Sequence, residues 1–119
     1  MKLIIAGSRN LNLSADSLDN IIFNLPDNMP IITEVVCGMA KGIDLAGRGW
    51  AINYKIPVKE FPADWANLGK GAGYARNADM AKYADELLAF WDGKSRGTKH
   101  MIECMLQLNK PFQVILIRP

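Results

Sequence analysis

Five short, predominantly apolar runs constrain this chain more than any other feature. They are Leu3-Ile4-Ile5-Ala6, Ile31-Ile32-Thr33-Glu34-Val35-Val36, Pro57-Val58-Lys59-Glu60-Phe61, Glu86-Leu87-Leu88-Ala89-Phe90-Trp91 and Phe112-Gln113-Val114-Ile115-Leu116-Ile117. Strict alternation would mark strands with one wet face. Runs of continuous apolar residues mark strands buried on both faces, which belong to parallel sheets sandwiched by helices. The segments between them carry helical spacing. Ser14 or Asp16 can cap a helix to about Asn24, with Leu18, Ile21, Ile22 and Leu25 on one side. Pro26 and Pro30 punctuate the connection from this helix to the second strand. Ile43 to Tyr54 reads as a helix with Leu45, Ala46, Trp50 and Ala51 on its apolar face. Tyr74 to Tyr83 reads as another, packing through Ala75, Ala78, Met80 and Ala81. Gly97 to Asn109 reads as a last one, with Met101, Ile102, Met105 and Leu106 facing the core. The glycine-rich stretch from Pro62 to Gly73 reads as the longest irregular and most mobile segment.

Strand and helix therefore alternate and end on a strand. With right-handed crossovers this predicts an α/β protein: one Rossmann-like doubly wound domain over residues 1–119. Its five-stranded sheet is expected to be mostly parallel, with helices on both faces. A chain of 119 residues suits one hydrophobic core. Its formal charge of +2 is far from the clustered basic character of a nucleic-acid binder. Cys37 and Cys104 lie far apart and His100 is the one histidine, so no zinc-type ligand set is expected and the thiols read as reduced. The N-terminal apolar run is too short for a signal peptide, and no run reaches membrane-spanning length. The expectation is a cytoplasmic protein.

Ligands in this architecture bind beyond the carboxyl ends of the strands. The loops there share a character. Gly7 is followed at once by Ser8 and Arg9. Gly38, Ala40 and Gly42 leave backbone N–H groups approachable, and Asp44 lies in the first turn of the next helix. Gly38, Met39 and Asp44 are expected to line the sugar side of a ligand. Asp44 serves either dipole compensation or a hydrogen bond to a ribose hydroxyl. Asp64 and Trp65 follow the third strand, where Trp65 could stack on a base or cover a pocket. Arg76 and Asn77 open the helix after the glycines. A cation near a helix N-terminus is unfavourable unless an anion binds there, so Arg76 is either a ligand contact or a solvent-facing side chain. Trp91 reads as a pocket wall, and Asp92, Lys94, Ser95, Arg96, Gly97 and Thr98 form a strand–turn–helix junction suited to phosphate. Lys70 and Lys99 read as solubilising charges, and Trp50 as core. The glycine pattern matches neither the dinucleotide-binding nor the P-loop signature.

Four stretches carry a family resemblance: Ala6-Gly7-Ser8-Arg9, Cys37 to Asp44, Phe61-Pro62-Ala63-Asp64-Trp65, and Phe90 to Thr98. In order, they resemble the YspA-like (DUF2493) branch of the SLOG superfamily, which also holds the DNA-processing protein DprA and the LOG phosphoribohydrolases. The resemblance implies a Rossmann-like fold and a site for nucleotides or nucleotide-derived molecules. LOG enzymes carry an Arg and a Met at a helix start, an Ala-Asp pair, and Gly-Gly-x-Gly-Thr-x-x-Glu. Arg76 and Met80 match the first pair, Ala84-Asp85 the second, and Asp92-Gly93 through Gly97-Thr98 resembles the glycine-rich loop. The position of the catalytic Glu is Met101, and Glu103 lies about 200° further around the helix.

These readings favour binding over catalysis. The expected function is to sense or sequester a nucleotide or nucleotide-derived signalling molecule of the ADP-ribose, NAD or cyclic-nucleotide type. A LOG-like hydrolase of an N-glycosidic or phosphate bond is the alternative, with no catalytic residue assigned. No cofactor or metal is required, the partner is a small nucleotide derivative, and a homo-oligomer is expected. Membrane and nucleic acid are not expected partners.

Overall fold

The computed structural model describes residues 1–25 and 31–117. The proline punctuation at Pro26 and Pro30 lies outside them. Five strands, β1 (Lys2–Gly7), β2 (Glu34–Cys37), β3 (Val58–Glu60), β4 (Glu86–Trp91) and β5 (Phe112–Leu116), form one sheet in the order β3-β2-β1-β4-β5. Every pairing is parallel, as continuous apolar strands require. The chain therefore builds outward from β1 through β2 to β3, then returns to place β4 on the other side of β1. That reversal opens a crevice at the carboxyl ends of β1 and β4.

Helices cover both faces. On one, α1 (Ala15–Phe23) and α2 (Ile43–Asn53) bury Leu18, Ile22, Ile43, Trp50 and Ala51 against Leu3, Ile5, Val35, Leu88 and Phe90. On the other, α4 (Ala72–Tyr83) and α5 (Arg96–Gln107) bury Met80, Ala81, Met101, Cys104 and Met105 against Ile4, Ala6, Val36, Leu87 and Ala89. The odd and even residues of β1 thus serve opposite cores, which is why none of Leu3 to Ala6 is polar. Ser14 caps α1 through the Ser17 N–H at 3.1 Å, and the Trp50 indole ties α2 to α1 through Asp19 at 2.6 Å.

Several local expectations are corrected. β2 starts at Glu34, not Ile31, because its neighbour β1 starts at Lys2, which is in register with Glu34. Ile31 is consequently 85% exposed. Leu45 is exposed: Ile43, Gly47, Trp50 and Ala51 share the buried face of α2, and Leu45 lies about 200° around from Ile43. A side chain at Gly47 would meet Ile5 at 2.7 Å, so this glycine lets α2 settle directly on β1. Ala75 and Leu106 are exposed on α4 and α5, where Ala72 and Cys104 are buried instead. The stretch from Pro62 to Gly73 is not irregular throughout. Asp64 caps a short helix α3 (Trp65–Leu68) through the Asn67 N–H at 3.2 Å, a 3₁₀ turn follows over Gly69–Gly71, and α4 begins at Ala72.

Candidate functional site

Beyond the carboxyl ends of β1, β2 and β4 lies a cleft of about 420 Å³. Its floor is apolar: Ala6 from β1, Met80 from α4 and Met101 from α5. Met101 thus faces the cleft as a thioether. Glu103 is exposed elsewhere on α5.

Asp44 forms one wall. It is only 5% exposed, and its carboxylate accepts the Gly7 N–H on Oδ1 and the Ala40 N–H on Oδ2, both at 3.4 Å. Burial pushes its carboxyl up to about 6, against the lowering effects of Arg76 and these two N–H groups. Gly38 does not line the cleft, yet it makes the wall possible: a Cβ there would sit 2.7 Å from Asp44 Oδ2 and 3.2 Å from Arg76 Cδ. Its carbonyl accepts Arg76 Nη1 at 2.6 Å. Gly42 begins α2 at φ +85, where a side chain would press within 2.8 Å of the Arg9 carbonyl. Met39 turns away from the cleft, with its N–H on the Cys37 thiol.

Arg76 and Asn77 project from the second turn of α4. Arg76 Nε donates to Asn77 Oδ1 at 3.3 Å, and burial lowers the guanidinium from its ordinary value. Asn77 is buried and donates through Nδ2 to the Gly97 carbonyl and to His100 Nδ1, both at 3.2 Å. It therefore joins the guanidinium to the first turn of α5. Nδ1 of His100 accepts from the Asn77 amide, and the Cys104 sulfur lies 3.8 Å from Nδ1 and 3.6 Å from Nε2. The Asn77 amide occupies Nδ1, the nitrogen that would take the thiol proton, and burial raises the thiol. The trio is packing, not a nucleophile and its base.

The third wall is the N-terminus of α5, contributed by Ser95, Gly97 and Thr98. Ser95 caps the helix through the Thr98 N–H at 3.5 Å. The N–H groups of Arg96 and Gly97 have no acceptor among the described residues. Asp92 shapes the turn rather than the cleft. Its Oδ1 accepts the Lys94 and Ser95 N–H groups, both at 2.8 Å, which holds its carboxyl below the ordinary carboxylate range. Trp91 is not a pocket wall: its indole N–H is directed to the Ser95 carbonyl at 3.0 Å. Ser8 is buried too, and its hydroxyl accepts the Asp92 N–H at 3.2 Å, stitching β1 to β4. Lys94 and Arg96 are exposed and do not line the cleft.

Arg9, Asn10, Trp65, Lys70, Gly73 and Tyr74 make the rim. The Arg9 guanidinium lies 5.9 Å from the Trp65 ring, across the mouth. Asp64 stays outside as the cap of α3. Thus Gly7, Arg9, Ala40, Asp44, Trp65, Arg76, Asn77, Ser95, Gly97 and Thr98 converge. Gly38, Ser8, Trp91, Asp92, Asp64 and Met39 support or flank them. Sequence reasoning missed Asn10, Lys70 and Tyr74. Lys70 stands at the rim, brought there by the 3₁₀ turn that follows α3. The one available signal for Tyr74 was its place one half-turn before Arg76.

Among the described residues no helix is long and apolar enough to cross a membrane. No family model matches the chain, and no solved structure matches it. The Gene 61 protein of Mycobacterium phage D29 is similar: 38% identical over 82 residues, which span 64% of this chain and 63% of that protein. The chain thus spans less than two thirds of that relative's length.

Proposed function

We propose that the cleft binds a nucleotide or nucleotide-derived signalling molecule and that the protein senses or sequesters it. The observation that carries this reading is the meeting of three unlike groups on one cavity of about 420 Å³: a buried carboxylate, a half-buried guanidinium and an open helix N-terminus. A volume of that order suits a small organic ligand. The free N–H group of Gly97, with the Ser95 and Thr98 hydroxyls, suits a phosphate. Trp65 and Tyr74 at the rim offer faces for a base. The resemblance to YspA-like SLOG proteins points the same way. Isothermal titration calorimetry with ADP-ribose, NAD and cyclic AMP tests it. Micromolar binding of one of them is expected; no heat from any, at high micromolar protein, overturns it.

Hydrolysis of such a ligand is the second reading, favoured by one observation. The cleft does contain a carboxylate, Asp44, even though Met101 stands where a LOG enzyme has its Glu. This reading expects products on a chromatogram and their loss in Asp44→Asn and Arg76→Ala. Ligand recovered intact after long incubation removes it. As a sequestering protein the chain would act in the cytoplasm, as a homo-oligomer.

A further inference from the structure

We infer that Asp44 restricts the cleft to ligands with a free, uncharged vicinal hydroxyl pair, as on an unmodified ribose, and turns away ligands with a phosphoryl group at that place. The inference rests on the nucleotide reading above and narrows it.

The two ends of the cleft have opposite chemistry. The α5 end offers donors: the Gly97 N–H group, which has no acceptor among the described residues, and the Ser95 and Thr98 hydroxyls. The α2 end offers acceptors. An ionised carboxylate presents about four lone-pair sites and no donor. Gly7 and Ala40 each occupy one on Asp44, at 3.4 Å, the long end of the hydrogen-bond range. The remaining acceptor capacity belongs to a group that lines the cleft and is almost removed from water. Two adjacent O–H donors satisfy it. A phosphoryl group cannot, because it too is negative and acceptor-only. Arg76 and Arg9 act on Asp44 through space and lower its carboxyl, but neither is in ion-pair contact with it. The one ion pair among the described residues is Arg48–Glu60, and two arms of Arg76 are held by Gly38 and Asn77. Asp44 is held from two sides, by the Gly7 N–H on Oδ1 and the Ala40 N–H on Oδ2, and is 5% exposed. A ligand that reaches this end of the cleft must therefore suit the carboxylate.

The test compares NAD with NADP, and AMP with 2′-deoxy-AMP and 3′,5′-cyclic AMP, by calorimetry on the wild type and on Asp44→Asn. The wild type is expected to bind NAD or AMP about 10²-fold more tightly than the deoxy, cyclic and 2′-phosphorylated partners, since each leaves a buried acceptor unpaired or repelled. In Asp44→Asn the NADP penalty should shrink at least about tenfold, because the carboxamide is neutral and can donate. If NADP or cyclic AMP binds the wild type as tightly as its counterpart, the inference fails while the nucleotide reading stands. If no nucleotide binds, both fail. The wild-type ratios decide the matter even where Asp44→Asn does not fold.

Discussion

Asp44 holds a carboxylate where water scarcely reaches, and that has a thermodynamic signature apart from any ligand. Its carboxyl is raised in the folded protein to about 6 from an ordinary value of 3.8. The folded state therefore binds the proton more tightly than the unfolded state does. The resulting stabilisation is complete below the unfolded value and is lost as pH rises through about 6. Between about pH 4.5 and about pH 7.5 this amounts to about 2 kcal/mol. Urea denaturation of wild type and Asp44→Asn at those two pH values should show the variant gaining about 2 kcal/mol relative to wild type at the higher pH. A gap that does not change with pH would mean that folding leaves the Asp44 carboxyl at its ordinary value. Gly38→Ala is the complementary probe. Its Cβ would lie 2.7 Å from Asp44 Oδ2, so destabilisation of about 1–3 kcal/mol is expected, together with weakened ligand binding by calorimetry. The nature of Asp44 was half legible in the sequence. Its place in a first helical turn was plain, but its partners, Gly7 and Ala40, lie on two other segments that only the fold brings together.

At the level of elements, the inner strands β1, β2 and β4 were legible because burial on both faces leaves no polar register. β3 and β5, at the sheet edges, bury no residue and do not fit that expectation. The register itself was not legible. The start of β2 is decided by where β1 begins, a fact that no property of Ile31 or Ile32 records. The four-residue α3 escaped for a different reason: it is too short to show a period, and Asp64, its cap, reads equally well as a ligand contact. The end of α4 offers a sharper case. Lys110 reaches from the loop before β5 and donates to the carbonyls of Ala81, Lys82 and Ala84 at 2.7, 3.0 and 2.8 Å. A cation on the last carbonyls satisfies them and complements the helix dipole. Lys110→Met keeps the stem and removes the donors, so it should cost about 1–2 kcal/mol by chemical denaturation. Gly49, inside α2, is the opposite: nothing lies within 4 Å of its Cβ position. Gly49→Ala should raise stability by about 0.5–1 kcal/mol in the same assay.

For the whole molecule, the return of the chain to β4 is decisive, since it sets the loops after β1, β2 and β4 around one crevice. This much follows from the alternation of strands and helices, and it explains why Gly7, Ala40, Arg76 and Thr98 could be grouped before their positions were known. It could not show which polar groups the fold uses for itself. Ser8, Trp91 and Asp92 look like ligand contacts in one dimension and turn out to hold β1, β4 and α5 together. A ligand that bridges α2 and α5 across this crevice should stabilise the domain as a unit. At a concentration about a hundredfold above its Kd, it should add about 2.7 kcal/mol to the unfolding free energy. A melting temperature unmoved by saturating NAD or ADP-ribose would contradict that. The stretch from Asp64 to Gly71 is exposed at every residue, and Lys70 within it stands at the mouth of the cleft. It is therefore a natural entry point for a protease. Brief trypsin digestion should first split the chain after Lys70 into fragments 1–70 and 71–119, read by mass spectrometry, and an occupied cleft should delay that cut.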